Sequence, residues 1–404
     1  MKQKQQTWTK FRHRFVTTTV RIFLTAHVMA RYHIKVDRFK EQGERQYLVL
    51  FNHQTAYDQF FVGMAFKHPV YYMATEDIFS MGWVSDIIRY IVAPIPIRKQ
   101  TTDIAAIRNC VRVAKEGGTI ALAPEGNRTY SGRTGYMNPA IASLARKLKL
   151  PIALYRIEGG YGVHPRWSDG TRKGSMHAYV SRVIEPEEYA QMTGKELLAV
   201  IEEGLYVDEG VADGTFECVA RAEYLERAMY VCPYCGLSEF ESHGHEIECK
   251  LCHRKISYGA DKRLAGVGFD FPFEFVSGWY DYQEKFINDL DVTTFTETPL
   301  YRDRAALSEV VVYKHKALLR KDAGIALYGD RIVIDEGSDN ALVFPFAEIT
   351  AMSVLGRNKL NFYHDDHVYQ FKSDKRFNAL KYVNIYFRHK NIIKGDQDGK
   401  FLGL

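Results

Sequence analysis

The chain has 404 residues, 46% apolar and 25% charged, a globular composition that sets it apart from disordered and low-complexity sequences. At roughly 150 residues per domain it has room for two or three domains. Residues 1–40 hold ten Lys/Arg against one acidic residue, Asp37, about +9, so the other 364 carry about −4 of the net +5. A basic end on a near-neutral body calls for an anionic partner, phospholipid or nucleic acid.

Residues 1–45 read as one or two basic amphipathic helices. Phe11, Phe15, Val16, Val20, Phe23, Leu24 and Val28 can share a face, with Lys10, Arg12, Arg14 and Arg21 around it. That is the pattern of a helix lying in a membrane interface, although the same stripe could pack on the next domain. No run of 18 uncharged apolar residues occurs, so no transmembrane helix is expected. The nearest run, residues 15–30, is broken by Arg21 and lacks the features of a secretory leader.

Residues 46–215 are expected to form an α/β domain with a largely parallel sheet. Apolar runs at 47–51, 91–97, 119–123 and 152–157 read as strands. Between them, residues 103–116 carry Ile104, Ile107, Val111 and Ala114 on one face and end at Gly117-Gly118. Asn138-Pro139 opens a further helix whose apolar stripe is Ile141, Leu144, Ala145 and Leu148. Strands separated by helices predict this class. Residues 185–214 read as a polar, acidic segment. A cysteine module follows at 216–262, then a linker helix within 263–300. Residues 301–393 alternate as strands do and end in a helix, the pattern of a pleckstrin-homology-like β domain. Residues 394–404 are expected to be disordered.

Each unusual polar segment of the α/β region follows a predicted strand. His53 and Asp58 follow the first, Arg98 the second, "PEGNR" (residues 124–128) the third and "EGGYG" the fourth. Ligands of α/β sheets bind outside the carboxyl ends of the strands, so these residues should converge there. On one continuous helix His53 and Asp58 would diverge by roughly 140°. They can meet only if His53 lies in a turn and Asp58 in the helix after it.

The segments "NHQTAYD", "PIPIR", "PEGNR" and "LPIALY" resemble the four ordered blocks of the glycerophospholipid acyltransferase family, the type that includes 1-acylglycerol-3-phosphate acyltransferase. The resemblance covers roughly residues 45–185. Thr55 stands where serine is usual, the second block lacks a glycine, and Leu154 replaces a proline in the last. The resemblance implies an acceptor glycerol phosphate held by Arg98, Glu125, Gly126 and Arg128. It implies as substrates a lysophospholipid, most simply 1-acyl-sn-glycerol-3-phosphate, and an acyl thioester of coenzyme A or acyl carrier protein. The residues support that chemistry directly. Imidazole, with an ordinary pKa near 6.5, suits a general base for a hydroxyl. A carboxylate on its far nitrogen fixes the tautomer, so His53 is assigned as base and Asp58 as its orienter. Cys110, on a predicted helix, reads as core, and His68, His164 and His177 as ordinary surface or satisfied histidines.

Cys232, Cys235, Cys249 and Cys252 form two C-x2-C knuckles thirteen residues apart, the spacing of a zinc ribbon with a structural metal. His243, His245 and His253 lie close enough in sequence to substitute or assist. The expected protein is a peripheral enzyme of phospholipid biosynthesis on the cytoplasmic face of the membrane, with no nucleic-acid partner. The alternative is a non-catalytic lipid- or protein-binding scaffold.

Overall fold

The computed structural model describes residues 7–80, 82–97, 103–311, 315–395, 399 and 401–403. They divide into two compact units, Met1–Arg166 with Thr171–Gly214, and Trp167–Gly170 with Thr215–Leu404.

The first unit opens with a single 22-residue helix, α1 (Phe11–Tyr32). Its predicted apolar stripe is split. Val28, Tyr32 and His13 face inward, whereas Phe11, Phe15 and Phe23 are 87%, 71% and 74% exposed. The inner side was set by polar fastenings that spacing does not show. Trp8 Nε1 donates to Ala93 C=O (2.9 Å), His13 Nδ1 meets Tyr71 Oη (3.1 Å), and Arg21 donates to Phe66 C=O (2.7 Å). Among the described residues, no helix is long and apolar enough to cross a membrane.

The elements then run β1 (Ile34–Val36), β2 (Leu48–Phe51), α2 (Asp58–Ala65), β3 (Val70–Thr75), α3 (Trp83–Ile91) and β4 (Ile95–Ile97). After these come α4 (Ile104–Lys115), β5 (Thr119–Leu122), α5 (Ala140–Leu148), β6 (Ile152–Glu158), α6 (Gly160–Val163), β7 (Met176–Ile184), α7 (Pro186–Ala190) and α8 (Gly194–Leu205). The described strands form one sheet in the order β1-β7-β6-β2-β5-β3-β4. β2 runs parallel to β5 and β6, β3 runs parallel to β5 and β4, and only β7 against β6 is antiparallel within the central order. β2 is Leu-Val-Leu-Phe, buried at all four positions, as a strand covered on both faces requires. Its Leu48 and Leu50 share a core with Ile120, Val113, Ile141 and Ile201.

The sequence reading misses β1, β3, α3 and β7, and it starts β4 four residues early, at Ile91, the last residue of α3. Trp83, Ile87 and Tyr90 of α3 are exposed, so its helical apolar period marks an outer face and not a core. The segment read as merely polar, 185–214, contains α8. There a capping box of Thr193 and Glu196 starts the helix, and Leu197, Ile201 and Leu205 bury one side.

The second unit carries two short strands, β8 (Val231–Cys232) and β9 (Gly236–Leu237), and a four-stranded sheet of β10 (Phe240–His243), β11 (Glu246–Cys249), β12 (Lys255–Tyr258) and β13 (Leu264–Gly266). Helix α9 (Val276–Asp289) is no free linker. Trp279 Nε1 donates to Val231 C=O (2.9 Å), and the buried Gln283 amide accepts from Tyr230 N–H (2.7 Å) and donates to Ala228 C=O (2.9 Å). A mainly-β region follows: β14 (Tyr301–Val311), β15 (His315–Leu327), β16 (Arg331–Ile334), β17 (Leu342–Pro345), β18 (Ile349–Leu355), β19 (Lys359–His364) and β20 (His367–Lys372), closed by α10 (Leu380–Ile393). Two antiparallel meanders join through β14–β20 pairing, in the order β17-β16-β15-β14-β20-β19-β18. The tail does not trail away as expected over its described residues. Leu402 is buried and its carbonyl accepts from the Asn384 amide (2.7 Å), because Phe401 and Leu402 supply apolar cover for α10.

Candidate active site

The site begins where β2 stops. Asn52 is buried, and its side-chain amide pairs with both backbone groups of Ile157 in β6, donating to the carbonyl (2.8 Å) and accepting from the N–H (2.7 Å). The side chain thus adds one rung to the parallel ladder while the main chain turns away. His53 is placed in that turn, beyond the sheet edge, and Asp58 begins α2.

His53 Nδ1 lies 2.8 Å from Asp58 Oδ2. Asp58 Oδ2 also accepts from the backbone N–H groups of Gln54 and Thr55, so Nδ1 is the donor in this contact and Nε2 carries the lone pair of the neutral ring. The His53 side chain is 24% exposed and that of Asp58 is wholly enclosed. Burial of a carboxylate is tolerated only when its oxygens are paired, and Asp58 is. It accepts the N–H of Gln54 (2.7 Å), the N–H of Thr55 (2.9 Å) and the Thr55 hydroxyl (2.6 Å). The serine-to-threonine departure therefore keeps the hydroxyl bond. Tyr57, inside the same turn, sits in an aromatic nest with Tyr32 (5.0 Å between ring centres) and His164 (6.5 Å). His164 is buried there, not at the surface, whereas His177 pairs with Asp37 (2.8 Å) and His68 with Glu44 (3.1 Å).

The second carboxylate arrives from the neighbouring strand. β5 ends at Leu122, and Gly126 takes a left-handed φ of +69° that closes the turn around Glu125. Glu125 Oε1 accepts the backbone N–H of His53 (2.7 Å) and Oε2 accepts that of Gly135 (2.8 Å). Burial raises its carboxyl pKa from the ordinary 4.5 to about 8, against the opposing pull of those two N–H groups. Thr129 N–H donates to His53 C=O (3.1 Å), and Arg166 donates to Arg128 C=O (2.7 Å) from behind the same loop. Arg166 is buried and stacks on Tyr130 at 4.2 Å. Arg166 was not picked out by the sequence reading. Its basis is backbone contact, which leaves no motif. Arg128 is half-buried beside this turn.

The fourth polar segment, "EGGYG", also reaches the turn. A Cβ at Gly160 would lie 2.6 Å from Gln54 Cβ, so only glycine lets the α6 backbone approach so closely. The carboxyl ends of β2, β5 and β6 thus bring His53, Asp58, Glu125, Gly126 and Arg128 to one edge of the sheet. Arg98 lies outside the described residues. β4, which leads to it, is parallel to β3 in the same sheet. Cys110 is buried in α4 within the core, and burial raises its thiol pKa to about 12, so it is no nucleophile.

In the second unit the sulfur atoms of Cys232, Cys235, Cys249 and Cys252 lie within 4.8 Å of one another. Cys232 and Cys252 approach to 3.8 Å and Cys235 and Cys249 to 3.5 Å. A tetrahedron with metal–sulfur bonds of about 2.3 Å has edges of roughly 3.8 Å, so the four thiols fit a zinc ion. The nearby histidines are engaged elsewhere: His253 with Glu248 (3.0 Å), His243 with Glu241 (3.3 Å), and His245 accepting from Arg221 N–H (3.3 Å).

Residues 31–157 match the family described as Acyltransferase. A 1-acyl-sn-glycerol-3-phosphate acyltransferase of Bacillus subtilis (strain 168) is 22% identical over 138 residues, which are 34% of this chain and 66% of that protein. The chain therefore spans just under two thirds of that relative. A crystal structure of the 1-acyl-sn-glycerophosphate (LPA) acyltransferase PlsC from Thermotoga maritima aligns with a TM-score of 0.41 at 21% identity, covering 48% of this chain and 78% of that one.

Proposed function

We propose, from the match of residues 31–157 to the family described as Acyltransferase, that the first unit is an O-acyltransferase. It moves a fatty acyl group from a thioester to the free hydroxyl of a lysophospholipid, with 1-acyl-sn-glycerol-3-phosphate the favoured acceptor. The observation that carries this reading is the 2.8 Å contact between His53 and a saturated, buried Asp58 at the sheet edge.

His53 Nε2 takes the proton of the acceptor hydroxyl as its oxygen attacks the thioester carbonyl. Asp58 stabilises the imidazolium that results. As the tetrahedral adduct collapses, the C–S bond breaks and the leaving thiolate takes the proton from His53. The products are the ester and the free thiol, and no covalent enzyme intermediate is required. Base catalysis of this kind contributes about 10²–10⁴-fold, and holding both substrates can lower the barrier by up to roughly 7–11 kcal/mol. Arg128 and Arg98 are assigned to the acceptor phosphate, where a guanidinium gives forked hydrogen bonds.

The exposed flank of α1 seats the unit on a phospholipid surface, supported by Phe11, Phe15 and Ile22 and by Trp83 and Ile87 of α3. Each Lys/Arg near an anionic leaflet adds about 1 kcal/mol. On this reading the protein is a peripheral enzyme on the cytoplasmic face of the membrane. The four cysteines would hold a structural zinc, which would stabilise the second unit and take no part in acyl transfer.

The test is to incubate the full chain with labelled acyl-CoA or acyl carrier protein and a panel of lysolipids, beside His53→Ala. Acylation of lysophosphatidate by the parent alone is expected. Equal turnover by the variant removes the mechanism. Phe11→Ser/Phe15→Ser should weaken sedimentation with anionic vesicles while leaving transfer to a detergent-dispersed acceptor. Unchanged sedimentation removes the docking surface.

A further inference from the structure

We propose that Glu125 is a positioning residue that aims the His53 imidazole, and that the acceptor phosphate is bound without it. This rests on the acyltransferase reading above but assigns Glu125 a different task from its neighbours in that block.

Both Glu125 oxygens are already engaged, one by His53 N–H at 2.7 Å and the other by Gly135 N–H at 2.8 Å. The same loop takes the other polar group of His53, since Thr129 N–H donates to its carbonyl at 3.1 Å. The backbone of the base is therefore gripped on both sides by residues 125–129. Asp58 completes the arrangement by accepting the next two backbone N–H groups, those of Gln54 and Thr55. Two carboxylates thus take three consecutive donors, and the turn has no freedom left to swing the ring. Glu125 therefore offers a phosphate, whose oxygens are themselves acceptors, neither of its own oxygens. Its placement on a backbone N–H gives it another purpose. Arg166, bonded to Arg128 C=O, braces the far end of the same loop.

The test compares Glu125→Gln and Glu125→Ala with the parent chain in steady-state transfer from labelled acyl-CoA to the best lysolipid of the panel. The amide of Gln can still accept the His53 N–H, but its NH₂ meets the Gly135 N–H donor to donor. Glu125→Gln should therefore lower kcat about tenfold and Glu125→Ala about 10²-fold, the cost of a base displaced by about an ångström. The acceptor KM should stay within about threefold. Hydrogen exchange at the residue 53 amide should accelerate in the same order. A raised acceptor KM at unchanged kcat would make Glu125 a phosphate ligand and overturn the proposal, as would an unchanged residue 53 exchange rate. If either variant does not fold, replacing His53 by its α-hydroxy acid counterpart removes the same N–H with every side chain intact. The same kcat loss is expected there, and full activity overturns the proposal. The exchange measurement needs no substrate, so it judges the Glu125 contact even if no lysolipid is acylated and the acyltransferase reading itself fails.

Discussion

The His53–Asp58 turn and the four-cysteine cluster are both built from short motifs, yet they are held in opposite ways. The turn is complete in the protein alone. Its donors are taken by Asp58 and Glu125, Asn52 ties it to β6, and Tyr32 and His164 wall in Tyr57. In the cluster the fastenings are to sulfur: the Ser238 hydroxyl lies 3.0 Å from Cys249 Sγ, backbone N–H groups of Tyr234 and Cys235 serve Cys232, and Arg254 serves Cys252. The first site pairs its donors with carboxylate oxygens of the chain itself, whereas the second turns four thiols toward one another, an arrangement that fits a metal they would share. A site that moves protons needs the first strategy, because reorganisation during reaction adds to the barrier. A site that only stabilises a small fold can use the second.

That contrast can be broken in order of size. Chelation should act on the second unit alone. Apparent zinc affinities in such sites are about 10–16 kcal/mol, so a chelator or Cys249→Ser should melt that unit while acyl transfer by the first persists. Calorimetry with a transfer assay on the same sample checks this, and parallel loss of both would mean that the metal serves the first unit too.

Asp58→Asn should act the other way. It leaves the ring in the wrong tautomer and puts an NH₂ against backbone donors, so kcat should fall about 10³–10⁴-fold with metal content unchanged. Kinetics beside elemental analysis would show it.

The smallest expected effect is a pH dependence of stability. Glu125 has its folded pKa raised to about 8 from 4.5, so the folded state binds the proton more tightly. Its contribution is fully present below pH 4.5 and is lost as pH rises through about 8. Urea melts from pH 4 to 9 should therefore fall less steeply in Glu125→Gln than in the parent chain. An unchanged slope would mean that the group is ionised throughout.

The parts of this molecule that were legible in sequence are those where chemistry is local. His53 and Asp58 stand five apart across a strand end, and the cysteines announce themselves by spacing. β2, residues 120–122 of β5 and residues 152–155 of β6 are apolar runs, as buried parallel strands must be. β7 was not found, because its partly solvated Met176–Ile184 pattern is irregular and its partner β1 has only three residues. The faces of α1 were misassigned because Arg21 and His13 point inward to specific oxygens, and a periodicity count treats them as outer residues. The role of Glu125 was hidden for a related reason. It bonds to main-chain N–H groups, which every residue carries and no motif records.

Helix α1 is fastened near its start by Thr9 N–H to Glu116 (2.7 Å) and His13 to Tyr71, at mid-length by Arg21 to Phe66, and at its end by Tyr32 in the nest around Tyr57. It therefore cannot peel off as a tether while the body hangs free. A bilayer that gripped Phe11, Phe15 and Ile22 would set the compass bearing of the entire unit. The exposed side of the His53 ring would then keep one fixed heading toward the lipid, like a hull held upright by its keel.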